Sequence, residues 1–133
     1  MQWLDMLDVT SLMPSLKLVE MGYNRLTRLT PPAAHHKLPP LELVNLDGNS
    51  LSDWPNICQA LAPFSRLHRL ILSCNPVSSI PGPNADNPAP PIPQVKHLAL
   101  IATGINTWSS IDALNHWLPG LESLSLSGTP LAE

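Results

Sequence analysis

Hydrophobic positions in this chain follow two spacings, one after the other. Trp108, Ile111, Leu114 and Leu118 lie three or four residues apart, which is the spacing of one helical face. Residues 121–126 then follow L-x-x-L-x-L, in which the last apolar side chains alternate with polar ones as they do along a strand. The change of spacing predicts a helix that leads directly into a short strand.

The same strand pattern recurs along the whole chain within a longer frame, L-x-x-L-x-L-x-x-N-x-L. Its copies start at Leu16, Leu41, Leu67, Val95 and Leu121, which are 25, 26, 28 and 26 residues apart. This period and consensus are typical of leucine-rich repeats. The sequence therefore predicts one domain over residues 1–133. Its fold would be an α/β solenoid with short parallel strands on the concave face, starting near 16, 41, 67, 95 and 121, and with helices or extended loops on the convex face.

Each position of the frame has an expected place. The middle apolar pair should point into the core: Val44, Leu46, Leu70, Leu72, Leu98, Leu100, Leu124 and Leu126. The polar residue three positions later should satisfy backbone groups in the turn and form a ladder: Asn24, Asn49, Asn75, Thr103 and Thr129. Because a hydroxyl makes fewer hydrogen bonds than an amide, we expect a weaker ladder in the last two copies.

An apolar residue five positions after each of the first four ladder residues should anchor the opposite side: Leu29, Trp54, Ile80 and Trp108. A helix is predicted from Trp54, with Ser52 or Asp53 as its cap. Ser109-x-x-Asp112 indicates a capping box for a second helix. The tryptophans at repeat positions, Trp3, Trp54 and Trp108, are interpreted as core, and the role of Trp117 stays open.

Proline marks two segments in which no helix is expected. Residues 30–40 and 80–93 are rich in proline and lack helical periodicity, so they should be extended spacers. A docking motif in either segment is the alternative.

The two ends of the chain lack the polar caps that repeat arrays normally carry. Trp3, Met6, Val9 and Met13 have the spacing of a repeat helix whose strand is missing, and Glu133 precedes the next expected anchor. These features predict a fragment of a larger repeat protein, or a truncated product.

Composition argues against several classes of protein. No apolar run approaches the roughly 18 residues that span a membrane, and the start, MQWLDMLD, has acids where a signal peptide has bases. The net charge of −3, from 7 basic and 10 acidic residues, includes no basic stripe for nucleic acid. Two cysteines are too few for disulfide caps and favour a reducing compartment.

Candidate catalytic groups are sparse. His35 and His36 could bind a metal, but no cysteine or carboxylate cluster is near them in sequence. Cys58 and Cys74 are interpreted as small packing residues. No G-x-S-x-G or phosphate-binding motif is present. We therefore predict no enzyme activity, no cofactor, no metal and no small-molecule substrate. A deep pocket in which His97, Cys74 and an acid converge would instead favour an enzyme.

The concave strand positions are the candidate binding surface. Four of them are apolar where solvent exposure is expected, and charged residues surround them, an arrangement that protein interfaces use. The predicted protein-binding residues are Leu18, Glu20, Leu43, Asn45, Asp47, Arg69, Ile71, His97 and Ile101. The alternative is that this face has no binding function and that exposed apolar residues are simply tolerated there.

Residues 108–131, W-S-S-I-D-A-L-N-H-W-L-P-G-L-E-S-L-S-L-S-G-T-P-L, resemble the leucine-rich region of the tubulin-specific chaperone E family, also called tubulin-folding cofactor E. Residues 49–54, N-S-L-S-D-W, and 67–77, L-x-x-L-x-L-S-x-N-P-V, are similar to preceding repeats there.

That resemblance implies a non-enzymatic folding factor that binds α-tubulin, in the cytoplasm and associated with the cytoskeleton. Family members add a CAP-Gly domain before the repeats and a ubiquitin-like domain after them, and this sequence contains neither. The alternatives are a leucine-rich regulatory subunit of a protein phosphatase, whose repeats are about 22 residues long, and a generic interaction scaffold.

Overall fold

The computed structural model describes residues 2–82 and 90–132, and within these ranges the chain forms an α/β fold. Five strands make one sheet: β1 (Leu18–Glu20), β2 (Leu43–Asn45), β3 (Arg69–Ile71), β4 (His97–Ala99) and β5 (Ser123–Ser125). Three helices accompany it: α1 (Trp3–Thr10), α2 (Trp54–Leu61) and α3 (Trp108–Trp117). All neighbouring strands are parallel, in the order β1-β2-β3-β4-β5.

The strands pair in the register that the sequence frame predicts. Val19, Val44, Leu70, Leu98 and Leu124 lie side by side across the sheet. Because these apolar residues hold the same frame position in every copy, they form one continuous apolar face of the sheet. That face joins the buried sides of the three helices in one hydrophobic core.

Six of the eight predicted inward residues are fully buried, and two are not. The inward residues on and just after β2, β3 and β4 are at most 2% exposed: Val44, Leu46, Leu70, Leu72, Leu98 and Leu100. Leu124 and Leu126 are only half-buried, so the prediction overstated their burial. They lie on or just after the edge strand β5, which is paired on one side only.

Asn49 connects the first two turns of the predicted ladder. Its Oδ1 accepts hydrogen bonds from the backbone N–H groups of Asn24 and Leu26, both at 3.0 Å. Its Nδ2 donates to the carbonyls of Met21 at 3.0 Å and Leu46 at 2.8 Å. One buried amide therefore satisfies backbone groups in two successive copies.

The ladder continues through Asn75 and changes character where threonine replaces asparagine. Asn75 accepts from Leu51 N–H at 3.0 Å and donates to the Leu46 and Leu72 carbonyls. By contrast, the hydroxyls of Thr103 and Thr129 donate within their own turns, to the Leu100 and Leu126 carbonyls at 2.8 and 2.7 Å. Among the described hydrogen bonds, the side-chain ladder is thus weaker in the last two copies, as the sequence predicts.

A left-handed backbone residue precedes every ladder residue. Its φ lies between 57° and 75° in all five copies, at Tyr23, Gly48, Cys74, Ala102 and Gly128. Only two of these are glycines, although this conformation is costly for residues with a Cβ atom. The turn geometry is therefore imposed by the surrounding hydrogen bonds rather than by local preference.

Helix α2 begins as the sequence predicts. Asp53 is the N-cap, and its carboxylate accepts from Asn56 N–H at 3.2 Å. Pro55 occupies the first turn, where its missing N–H costs nothing. Trp54 is buried, in agreement with its prediction as an anchor, as are Leu29 and Ile80.

Helix α3 differs from its prediction in both its cap and its buried face. Thr107, not Ser109, is the N-cap, and no side-chain cap hydrogen bond forms. Trp108 is 65% exposed, so its interpretation as core is wrong. The buried stripe instead consists of Ser110, Ala113, Leu114 and Trp117. Trp117 is 0% exposed, and its Nε1–H donates to the Pro81 carbonyl at 2.7 Å, so this face of the helix points inward.

Helix α1 exists where the sequence places it, but its buried stripe is shifted. Trp3 and Met6 are buried as predicted, together with Leu7 and Thr10. Val9 and Met13 are exposed, against the prediction. The four buried residues have the i, i+3, i+4, i+7 spacing of one helical face, whereas Met13 lies beyond the end of the helix.

The first proline-rich segment, residues 30–40, contains neither helix nor strand, as predicted. In the second, residues 80–82 and 90–93 are likewise free of both, and the remaining residues, 83–89, lie outside the described ranges. None of the described helices is long and apolar enough to cross a lipid bilayer.

Candidate protein-binding face

The strand register arranges the outward side chains in columns. Leu18, Leu43, Arg69, His97 and Ser123 form the first column, and Glu20, Asn45, Ile71, Ala99 and Ser125 form the second. The residues just beyond the strands, Gly22, Asp47, Ser73, Ile101 and Ser127, continue the face. We call the surface made by these three sets the open face. It brings together all nine residues predicted to bind protein.

Apolar side chains are accessible on the open face. Leu18 is 49% exposed and Ile101 is 40% exposed, while Leu43 and Ile71 are half-buried between their neighbours. When a partner covers such side chains, the free energy of binding becomes more favourable by about 25 cal/mol per Å² of apolar surface buried. The face therefore offers hydrophobic contacts that the fold itself does not use.

Acidic groups occupy the β1–β2 end of the open face. Glu20 is exposed in β1, and Asp47 follows β2 with its N–H held by the Asn45 side-chain oxygen at 3.1 Å. Gly22 leaves room for the Asp47 carboxylate, because a Cβ atom at position 22 would collide with Asp47 Oδ1. A larger residue at position 22 would therefore require the Asp47 side chain to move.

A shallow depression of about 210 Å³ lies at the β3–β5 end of the open face. Its polar lining comes from Arg69, His97, Ser123 and Ser125. Leu43 and Ile71 line its apolar side. The two serines stand in the sequence columns but were not among the predicted binding residues, because hydroxyls on an exposed strand carry no signal of their own.

The enzyme alternative required His97, Cys74 and an acid in one deep pocket. The depression contains His97 but neither Cys74 nor an acidic residue. Cys74 is exposed on its turn, so its interpretation as a packing residue is wrong, and Cys58 is buried as expected. Burial raises the pKa of the Cys58 thiol and disfavours the reactive thiolate.

His35 and His36 are closer to an acid than the sequence indicates. Asp8 of α1 joins them, and ligand atoms of the three residues lie within 4.8 Å of one another. However, Nδ1 of His36 accepts from Ala33 N–H at 2.9 Å, so Nε2 carries the proton and donates to Asp8 at 2.7 Å. Both nitrogens of this buried ring are thus engaged in joining α1 to the first proline-rich segment.

Together, the fold and the open face define an α/β protein with an in-register parallel sheet and an accessible, partly apolar strand face. No protein family model matches the chain. Sequence comparison does find relatives: the rat tubulin-specific chaperone cofactor E-like protein is 34% identical over 93 residues, 70% of this chain. The human protein of the same name is 33% identical over 93 residues, and tubulin-folding cofactor E of Arabidopsis thaliana is 34% identical over 95 residues, 71% of this chain.

These relatives confirm the resemblance that residues 49–54, 67–77 and 108–131 indicate. Over about 70% of its length, the chain is related to tubulin-folding cofactor E and the cofactor E-like proteins. It spans 22% of the length of the rat and human relatives and 17% of the Arabidopsis relative.

Proposed function

We propose that this chain is a leucine-rich repeat module of a tubulin-folding cofactor. In this proposal the five copies form a solenoid, the open face is its concave side, and that face binds protein, with α-tubulin as the partner. The protein acts in the cytoplasm, in association with the cytoskeleton, and works by binding rather than by catalysis.

One observation carries the proposal most directly. The open face exposes Leu18 and Ile101 and also carries the charged residues Glu20, Asp47 and Arg69, while the other face of the sheet packs on the core. Exposed apolar residues with a charged surround are typical of protein interfaces. The names of the relatives then point to tubulin as the protein that is bound.

The test is binding of purified αβ-tubulin to the immobilised full chain, followed in real time. Ile71→Asp places a charge in the half-buried centre of the face and should mainly speed dissociation. Arg69→Glu reverses a charge and should slow association and change its salt dependence. Gln59→Glu, an exposed change on α2, is the matched control because it adds a negative charge away from the open face.

Unchanged circular dichroism must first establish that each variant folds. Loss of binding in both open-face variants, with the α2 variant unaffected, supports the proposal. Equal binding by all variants would show that tubulin uses another surface. If the parent chain binds no tubulin, the partner is wrong.

A further inference from the structure

The depression on the open face contains four polar side chains without a partner. Within the described residues, Arg69, His97, Ser123 and Ser125 make no side-chain hydrogen bond or ion pair. Lys17 and Lys96, by comparison, each lie within 4.0 Å of a glutamate on the neighbouring copy, Glu42 and Glu122. The polar groups of the depression are therefore available to a ligand.

The strand register explains why Arg69 has no acid beside it. Its column neighbours are Leu43 on β2 and His97 on β4. The acids of the open face, Glu20 and Asp47, belong to the β1–β2 end. The β3–β5 end consequently presents an uncompensated guanidinium, although the whole chain carries a net charge of −3.

The shape of the depression comes from the second column. Ala99 stands between Ile71 and Ser125, and its small side chain leaves a gap in the row. At about 210 Å³ the space falls below the roughly 300–1,000 Å³ of small-molecule sites. It suits one side chain of a partner rather than a free metabolite.

We propose that this depression binds the side-chain carboxylate of a glutamate or aspartate on a protein partner. The carboxylate lies over His97, flanked by Arg69 on β3 and Ser123 on β5. Arg69 offers two parallel N–H donors that match a carboxylate, and the imidazole and serine hydroxyls donate the remaining hydrogen bonds. Leu43 and Ile71 contact the aliphatic part of the acidic side chain. This inference rests on the proposed function, because it names the chemistry that the open face recognises.

The experiment uses isotope-labelled full chain and nuclear magnetic resonance titration with blocked pentapeptides. The probe is acetylated and amidated Ala-Leu-Glu-Leu-Ala, whose only carboxylate is on its side chain. The matched probe replaces glutamate with glutamine. A third peptide keeps the glutamine but has a free carboxyl terminus, so that a side-chain carboxylate is distinguished from a chain end.

We expect the glutamate peptide to shift the signals of His97, Ser123 and Ser125 and the Arg69 side chain. The glutamine peptide should bind about tenfold more weakly, since a charge-assisted pair is replaced by a neutral one. Equal affinity for the two blocked peptides would overturn the proposal. Tighter binding of the peptide with a free terminus would overturn the assignment to a side chain.

Two variants test the lining, and a third is their control. Arg69→Gln should lower the affinity for the glutamate peptide about tenfold, because it removes the cation that pairs with the carboxylate. Ala99→Leu fills the gap without changing charge and should also weaken binding. Arg66→Gln is the matched control, because it removes an exposed cation that lies outside the depression. An equal loss with Arg66→Gln would show nonspecific charge attraction, and unchanged binding by Ala99→Leu would place the peptide elsewhere; either result overturns the proposal.

Tubulin binding by the same variants separates this inference from the proposed function. If tubulin binds the parent chain and both depression variants equally but Ile71→Asp weakens its binding, the proposed function stands and the carboxylate site fails. If the parent chain binds the glutamate peptide specifically but ignores tubulin, the carboxylate site stands and the partner is different.

Discussion

Asn56 of helix α2 holds both backbone polar groups of Leu29, a residue 27 positions earlier in the chain. Its Oδ1 accepts from Leu29 N–H at 2.9 Å, and its Nδ2 donates to the Leu29 carbonyl at 2.8 Å. Both residues are buried. Ser110 has the same position in α3, two residues after the tryptophan that begins the helix, and accepts from Ile80 N–H at 3.1 Å. A polar residue in the first turn thus connects each of these helices to the preceding copy.

Asn56→Ala should therefore lower the free energy of unfolding by about 2–5 kcal/mol, because it leaves a buried N–H and a buried carbonyl unsatisfied. Ser110→Ala, which removes one acceptor, should cost about 1–2 kcal/mol. Urea unfolding of the full chain measures both. Asn115→Ala, at an exposed position of α3, is the control. Equal stabilities for the Asn56 and Asn115 variants would contradict the assignment.

Leu72 and Leu126 occupy the same frame position in two copies but differ in burial. Leu72 is fully buried, whereas Leu126 follows the edge strand and is half-buried. Leu72→Ala should cost about 2–5 kcal/mol as a cavity in a packed core. Leu126→Ala should cost less than half as much, since water already reaches that side chain. Urea unfolding of the two variants measures both losses of unfolding free energy. A larger loss for Leu126→Ala than for Leu72→Ala would contradict the burial assigned to these two positions.

The strands and their register could be predicted because each rests on a short local pattern repeated five times. The rotation of α3 could not. Trp108, Ile111 and Leu114 satisfy helical spacing, but so do Ala113, Leu114 and Trp117. Which stripe is buried is decided by contacts with Ile80 and Pro81, about a full copy earlier in the chain.

The open face was predictable for the same reason that the strands were. Alternation places side chains outward once the register is known. The depression was not predictable, because it depends on which side chains remain unpaired and on the small size of Ala99 within its row. Likewise, the contact between Asp8 and His36 spans 28 residues and has no local signature.

Gly48 is the left-handed residue at which a substitution should be most harmful. Its φ is 65°, and an added Cβ would lie 2.4 Å from the ring of Tyr23. Gly48→Ala should lower the free energy of unfolding by about 1–2 kcal/mol from the backbone conformation alone. Gly82→Ala is the matched control, since nothing lies within 4 Å of its added methyl group. Indistinguishable unfolding midpoints for the two variants would contradict this account.

The asparagine ladder should contribute unequally along the chain. Asn49→Ala removes the acceptor for Asn24 and Leu26 N–H groups and should cost about 1–3 kcal/mol. Thr103→Val keeps the shape of the side chain and removes only the hydroxyl bond to the Leu100 carbonyl, so it should cost about 1 kcal/mol or less. Chemical unfolding of both variants measures the difference. A greater loss at Thr103 would show that the ladder strengthens rather than weakens along the sheet.

The two cysteines should react at very different rates. Cys74 is exposed, whereas Cys58 is buried and burial raises the pKa of its thiol. The folded chain therefore keeps the Cys58 proton while the unfolded chain loses it near the ordinary value of 9.0. Because the folded state then binds more protons, the contribution of Cys58 to stability is present below that pH and falls as pH rises above it.

A thiol reagent at pH 8 should accordingly modify one cysteine quickly and the second only after urea unfolds the chain. Cys74→Ser should abolish the fast phase, and Cys58→Ala should abolish the phase that requires unfolding. Cys58→Ala should also remove part of the loss of stability above about pH 9, since it eliminates the group whose proton is retained only in the folded state. Fast labelling of both thiols in the native chain would show that α2 opens readily and that Cys58 is not held in the core.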